Sequence, residues 1–229
     1  MTMPSVEEKK VLDLQNMNVR LSIRFNFVLF PFDVSELLEH LGQSGYFPTV
    51  PLPPKFVGQV RLNYKGKIAQ KGAIEVEIND DRGVIAVAST VPGLTIQGFN
   101  EVLQIVKDKL GVDLMGQADF YEMMASFEVK TGKNALETMV RFNEKNGGFA
   151  EIGKIIGQEV SGFTLRIVRK DAVPSSSEWM DMTIEPNIIK SSTSYKVLLV
   201  FRSKEKSKVD GFIQSFGENL SRIFETIEA

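Results

Sequence analysis

The 229-residue sequence predicts an α+β fold: an internal duplication of a β-α-β-β-β-α unit, with antiparallel sheets and helices on one face. Three observations carry this expectation. Each half opens with a strand of period two that leads directly into a capped helix. The two caps, Asp33 and Asn134, are 101 residues apart (134 minus 33), and the aromatics just after the helix-ending glycines, Phe47 and Phe149, are 102 apart (149 minus 47). Each half then shows three further strand-like runs and closes with a helix carrying a single apolar stripe.

Residues 1 to about 19 mix charge with short apolar pieces and are read as an N-terminal arm or short helix, before repeat 1 (20–115) and repeat 2 (116–229). In LSIRFNFVLF (21–30), Leu21, Ile23, Phe25, Phe27 and Leu29 alternate with Ser22, Arg24 and Asn26, the pattern of a half-buried strand. Asp33 followed by Glu36 has the spacing of a capping box. Val34, Leu37, Leu38 and Leu41 fall on one helical face, and Gly42 and Gly45 end the helix. Strands are expected near 56–65, 73–79 and 83–90, with a hairpin turn at Asn79-Asp80-Asp81-Arg82-Gly83. A helix at 98–110 follows, with Phe99, Val102, Leu103, Val106 and Leu110 on its stripe.

The second half repeats this order. Tyr121, Met123, Ala125, Phe127 and Val129 alternate with polar or exposed-type positions. Asn134 and Glu137 then cap a helix that Asn146-Gly147-Gly148 stops. Strands are expected near 160–170, 179–185 and 195–202, and a helix over 208–227 presents Val209, Phe212, Ile213, Phe216, Leu220, Ile223, Phe224 and Ile227. The offset grows to 113 here (212 minus 99), because the loops 171–178 and 186–194 are longer than their counterparts. Joining the two sheets edge to edge hides one unpaired strand from each, with four helices on one side.

Composition narrows the chemistry. Cysteine is absent, which removes disulfides, thiolate nucleophiles and zinc–sulfur sites, and His40 is the one histidine. With 27 Lys+Arg against 29 Asp+Glu the net charge is -2, so no global cationic field draws nucleic acid or an anionic membrane. No apolar run approaches the roughly 20 residues of a membrane helix, and MTMPSVEEKKVLDL has acidic residues where a signal peptide is apolar. We expect a cytoplasmic, soluble protein with no cofactor and no membrane contact.

If helices cover one side of the sheet, the outward strand residues form the other surface. These are Arg24, Asn26, Gln59, Arg61, Asn63, Glu75, Glu77 and Asn79 in repeat 1, and Ser126, Glu128, Thr164, Arg166, Asp181, Thr183 and Glu185 in repeat 2. In 195–202 either alternating set can face inward. Across about 21–227 the order of elements resembles the duplicated saddle of the TATA-box-binding proteins, as topology without a motif match. The resemblance implies a pseudo-twofold arrangement. The family's DNA-kinking phenylalanine pairs and base-contacting asparagines have no assignable position in this chain.

Several residue groups are candidates for function. Lys55, Arg61, Lys65, Lys67 and Lys71 form a basic stretch interleaved with Phe56 and Tyr64, and Arg202, Lys204 and Lys206 form a second. Both fit a nucleic-acid contact, and both fit solvated strand and turn edges, the reading we favour. Glu75, Glu77, Asp80 and Asp81 offer clustered oxygens for a cation, although turn chemistry explains the aspartates equally well. His40 is read as a helix-end residue pairing with Glu36 or the terminal carbonyls. Gly153, Gly157 and Gly162 lack the Lys-Ser/Thr of a phosphate loop. The proline-rich segment 46–54 places Tyr46, Phe47 and Leu52 as a partner or ligand surface, or as core pins of a stiff crossover. Trp179 is a candidate to line a pocket between sheet and helices.

No catalytic motif stands out, so the expected function is non-enzymatic. The chain is read as a binding protein that recognises a protein partner or small apolar ligand through the sheet face or the seam between repeats. The alternative is a nucleic-acid-binding or transcription-associated module. A ligand-binding protein predicts an apolar pocket or patch, whereas a nucleic-acid binder predicts that the two basic stretches converge on one surface.

Overall fold

A computed structural model of the protein describes residues 12–25, 30–51, 64–146 and 148–229. The strands are β1 (Asp13–Phe25), β2 (Phe47–Pro48), β3 (Lys65–Lys71), β4 (Ile74–Asn79), β5 (Val84–Ser89), β6 (Ala118–Lys130), β7 (Leu165–Val168), β8 (Trp179–Pro186) and β9 (Ser194–Ser203). The helices are α1 (Val34–Gln43), α2 (Pro92–Leu110), α3 (Ala135–Asn146), α4 (Phe149–Ile156) and α5 (Lys206–Glu228). All nine strands join one antiparallel sheet in the order β2-β3-β4-β5-β1-β6-β9-β8-β7.

The central pair is β1 with β6, in register from Asp13↔Lys130 to Phe25↔Ala118. β1 starts at Asp13, so residues 13–19, expected as arm, are strand. Their mixed composition hid this because an irregularity in pairing breaks the alternation there. Val19, Leu21, Ile23 and Phe25 point to the buried side, each at most 2% exposed. They join one core with Val76, Ile78, Ile85 and Val87 from β4 and β5 and with Met123, Phe127 and Val129 from β6. In β9 the inward set is Tyr195, Val197 and Leu199, while Leu198 is 44% exposed, which decides between the two alternations.

Helices α1, α2, α3 and α5 supply the other half of this core through Leu37, Leu38, Leu41, Phe99, Val102, Met139, Phe216, Leu220 and Phe224. Asp33 caps α1 by accepting from the Ser35 N–H at 2.7 Å. α2 begins at Pro92, six residues before the expected start (98 minus 92), because proline at the first helical position has the right φ and no N–H to lose. In mid-helix, Gly98 brings α2 onto the sheet: a Cβ there would lie 2.6 Å from Ile74 Cγ2 and 3.2 Å from Val87 Cγ1. Edge-to-face rings, Phe127 with Phe216 at 4.9 Å, seat α5 on β6.

Other expectations need correction. The strand expected at 56–65 lies mostly outside the described residues; the partner of β4 is Lys65–Lys71. The strand expected at 160–170 is reduced to Leu165–Val168. The short helix α4 was not anticipated. It buries none of its side chains, and Gly157, at φ 70, closes it. Gly153 and Gly162 are packing positions, since a Cβ would meet Gln158 O at 2.7 Å or Asn143 Cγ at 2.5 Å. Among the described residues no helix is long and apolar enough to cross a membrane.

Candidate functional site: a seam cleft and an ion-paired sheet face

Two surfaces come out of this architecture, one on each side of the sheet. The side away from the helices is polar. Six carboxylates on it each hold a cation: Glu75 with Lys67 (2.7 Å), Glu77 with Arg20 (2.7 Å), Glu122 with Arg202 (2.5 Å), Glu128 with Lys190 (2.5 Å), Asp181 with Arg166 (2.7 Å) and Glu185 with Lys196 (3.6 Å). Apart from Glu122 with Arg202, these pairs are partly or largely open to solvent, and each of those contributes only about 0–1 kcal/mol. Their larger effect is to cancel the field that a polyanion would feel. Between them sit Met124 and Leu198, 42% and 44% exposed, on neighbouring strands.

The residues expected to contact nucleic acid are distributed differently from the expectation. Lys55 and Arg61 lie outside the described residues. A bulge between Lys67 and Ala69 reverses the alternation of β3. Lys67 therefore shares the open face with Glu75, while Lys71 reaches the helix side and pairs with Glu101 of α2 at 2.7 Å. Lys65 pairs with Asp81. Lys204 is exposed, and Lys206 pairs with Asp210 at 2.5 Å and lies 5.7 Å from the Phe99 ring centroid. Arg202 is 14% exposed. It donates to Glu122 and to the carbonyls of Pro174 (2.8 Å) and Ser176 (2.9 Å), and lies 4.2 Å over the Phe120 ring. Between β3 and β9 stand β4, β5, β1 and β6, so Lys67 and Arg202 are five strand spacings apart, about 24 Å. Lys67 and Arg202 therefore do not converge on the open face, and Lys71 and Lys206, which both reach α2 on the helix side, are each paired with a carboxylate.

The aromatic candidates also part company. Tyr46 is 2% exposed; it donates to Glu101 at 2.9 Å, and Lys71 lies over its ring. Burial first, and then the Glu101 carboxylate, push its phenol well above the usual range. Phe47 is 76% exposed on the edge strand β2, and Leu52 lies outside the described residues. Trp179 is buried, 6% exposed, but opposite Arg202 on the open-face side rather than between sheet and helices. The loop whose carbonyls Arg202 holds runs directly into it. His40 faces Gln43 Oε1 at 3.2 Å instead of Glu36. Glu75, Glu77, Asp80 and Asp81 are spent on Lys67, Arg20, the Tyr64 N–H and Lys65, and the described residues contain no cluster of three metal-ligating side chains.

The second surface is a cleft of about 360 Å³ on the helix side, where the two halves meet. Its floor is Leu14 and Met17 of β1; its walls are Pro92, Gly93 and Ile96 of α2, and Ile213, Gln214, Phe216 and Gly217 of α5. None of these side chains is ionisable. Sequence reasoning missed the cleft because its residues come from three segments and two of its wall positions are glycines. Glycine leaves no side chain in the space: a Cβ at Gly93 or Gly217 meets nothing within 4 Å.

The floor has a specific cause. Pairing slips between Gln15 and Asn18, so Asn16 and Met17 together oppose one residue of β6. Asn16 takes the left-handed conformation at φ 50, which asparagine tolerates better than most residues. Strict alternation would send Leu14 and Met17 to opposite faces; the bulge turns both toward the cleft. Next to it the buried Thr95 hydroxyl donates to the Val19 carbonyl at 3.2 Å and ties α2 to β1. Compared with known proteins, the chain matches no family model, and no curated protein matches its sequence.

Proposed function

We propose that this chain is a non-enzymatic binding protein, built by duplication, that recognises its target through the seam cleft on the helix side. The duplication is supported by strand order: outward from the β1–β6 pair, the sheet runs β5-β4-β3 on one side and β9-β8-β7 on the other. Each half also carries a helix after its first strand and a long helix at its end. The order of elements along each half resembles that of the TATA-box-binding proteins, a likeness of topology alone.

The observation that carries the functional reading is the contrast between the two surfaces. Six carboxylates of the open face are each paired with a cation, with Arg24 stacked over Phe120 beside them, whereas the cleft is concave, apolar and lined by both halves. Pockets of about 300–1,000 Å³ are the ordinary size of small-molecule sites. The alternative, a nucleic-acid-binding module, rests on the topology and on the basic stretches.

One experiment separates the two. Labelled duplex and single-stranded DNA and RNA are titrated by fluorescence anisotropy at about 50 and 200 mM salt, a range over which phosphate-driven affinity falls steeply. The cleft reading expects no saturable binding at either salt. Saturable, salt-sensitive binding that is lost in Lys65→Glu/Lys67→Glu/Lys71→Glu would replace it with the nucleic-acid reading.

A further inference from the structure

Resting on the cleft reading, we infer that the ligand is an uncharged, largely hydrocarbon small molecule of about a dozen heavy atoms with a single polar end. The size follows from the space: about 360 Å³ equals roughly twelve water volumes at about 30 Å³ each. The class follows from the lining. Leu14, Met17, Pro92, Ile96, Ile213 and Phe216 are apolar, and Gln214 is the one side chain there able to form a hydrogen bond. A charged group placed among them finds no counter-ion, and an unpaired charge out of water is strongly disfavoured. Gln214 is exposed at the rim, so the polar end of the ligand faces outward beside it and the hydrocarbon part lies over Met17.

A small molecule fits better than an apolar side chain from a partner protein. Docking a protein requires apolar surface extending well beyond the pocket. Here the flanking helix positions Gln97, Asn100, Ser215 and Glu218 are polar and exposed, and of the large exposed apolar residues among the described residues only Val91 adjoins the walls in sequence. At the corresponding place on the other side of the seam, Lys206 lies over Phe99 and pairs with Asp210. A charged pair occupies that end, leaving the uncharged cleft as the apolar site.

The test uses the full chain with ¹³C-methyl methionine, the Met17 resonance being assigned from Met17→Leu. The protein is titrated with 1-octanol, octanoate, octylammonium and a leucine-rich peptide. The expected result is a saturable 1:1 shift of the Met17 methyl with octanol, with octanoate and octylammonium at least ten-fold weaker and the peptide silent. Gly217→Leu, which fills the cleft, should abolish the shift, while Gly211→Leu on the same helix leaves it unchanged. Gly93→Leu fills the cleft from the opposite wall and serves should Gly217→Leu misfold. The anion is the sharpest comparison, because Pro92 and Gly93 of the first turn of α2 line the cleft and a helix N-terminus favours negative charge. Equal or tighter binding of octanoate or octylammonium at Met17 overturns the uncharged class and leaves the cleft as the site. A response to the peptide alone makes the occupant a protein. No Met17 response to any probe, or one that persists in both filled variants, overturns the cleft itself.

Discussion

Arg202 is where a residue that reads as a surface cation becomes a structural one, and replacing it with leucine tests that placement. The side chains of Arg202 and Glu122 are each 14% exposed, and Arg202 also donates to the Pro174 and Ser176 carbonyls at 2.8 and 2.9 Å. Arg202→Leu leaves the Glu122 carboxylate without its cation and frees two loop carbonyls. Breaking a fully buried pair from one side costs about 3–5 kcal/mol. With some solvent reaching both groups, we take about 2–3 kcal/mol, a drop in Tm of about 5–10 °C at this chain length. The assay is urea unfolding followed by the fluorescence of Trp179, the single tryptophan, which sits opposite Arg202 in the β8–β9 register. Releasing the loop 171–178 should also shift Trp179 emission to the red and raise its quenching by acrylamide in the folded state. Arg202→Leu/Glu122→Leu should recover most of the loss, because the uncompensated charge is gone. Unchanged stability and an unchanged emission maximum in Arg202→Leu would refute the reasoning.

Three further outcomes are expected. Gly98→Ala should destabilise by about 1–2 kcal/mol, overpacking against Ile74 and Val87 outweighing a helix-propensity gain of about 1; Gly217→Ala, with open space around it, should stabilise, and denaturant midpoints compare the two. Asn16→Val should cost about 1–2 kcal/mol because a β-branched residue resists the left-handed region, whereas Asn16→Gly should be neutral or stabilising in the same assay. Burial raises the Glu178 carboxyl, but the Lys204 N–H, the Ser203 hydroxyl and Arg169 together hold it below the usual range. A depressed carboxylate stabilises above its unfolded pKa and loses that contribution as pH falls through the folded value. Glu178→Gln should therefore be less stable than the parent at pH 7, with the gap closing below about pH 4 in unfolding curves taken across pH.

Much of the fold was legible because its signals are local. Period-two alternation and short apolar runs located β4, β5, β6, β8 and β9 to within a few residues, and β1 over 21–25, residues 26–29 of the expected strand lying outside the described residues; Asp33 proved to be a working cap. Strands failed where alternation fails. The bulges at Asn16 and at Lys67–Ala69 reverse the pattern, so the first turned strand into apparent arm and the second put Lys67 and Lys71 on opposite faces. α4 escaped notice because Gly147 and Gly148 read as a helix stop, and a second short helix begins directly after them.

The candidate site divides along the same line. Charge balance, the lack of cysteine and the α+β element order are properties of the chain itself, and they already weighed against a phosphate-tracking surface and thiol chemistry. Which cations are free to act is not a local property: Arg202, Lys67 and Lys71 are occupied by Glu122, Glu75 and Glu101, residues 80, 8 and 30 positions away. The seam cleft is further still from any motif. Leu14, Ile96 and Ile213 come together only when β1, α2 and α5 pack, and the space between them is defined by side chains that glycine does not have. Periodicity records which face of each element is apolar. Tertiary packing decides which apolar faces meet and which are left facing an open cleft.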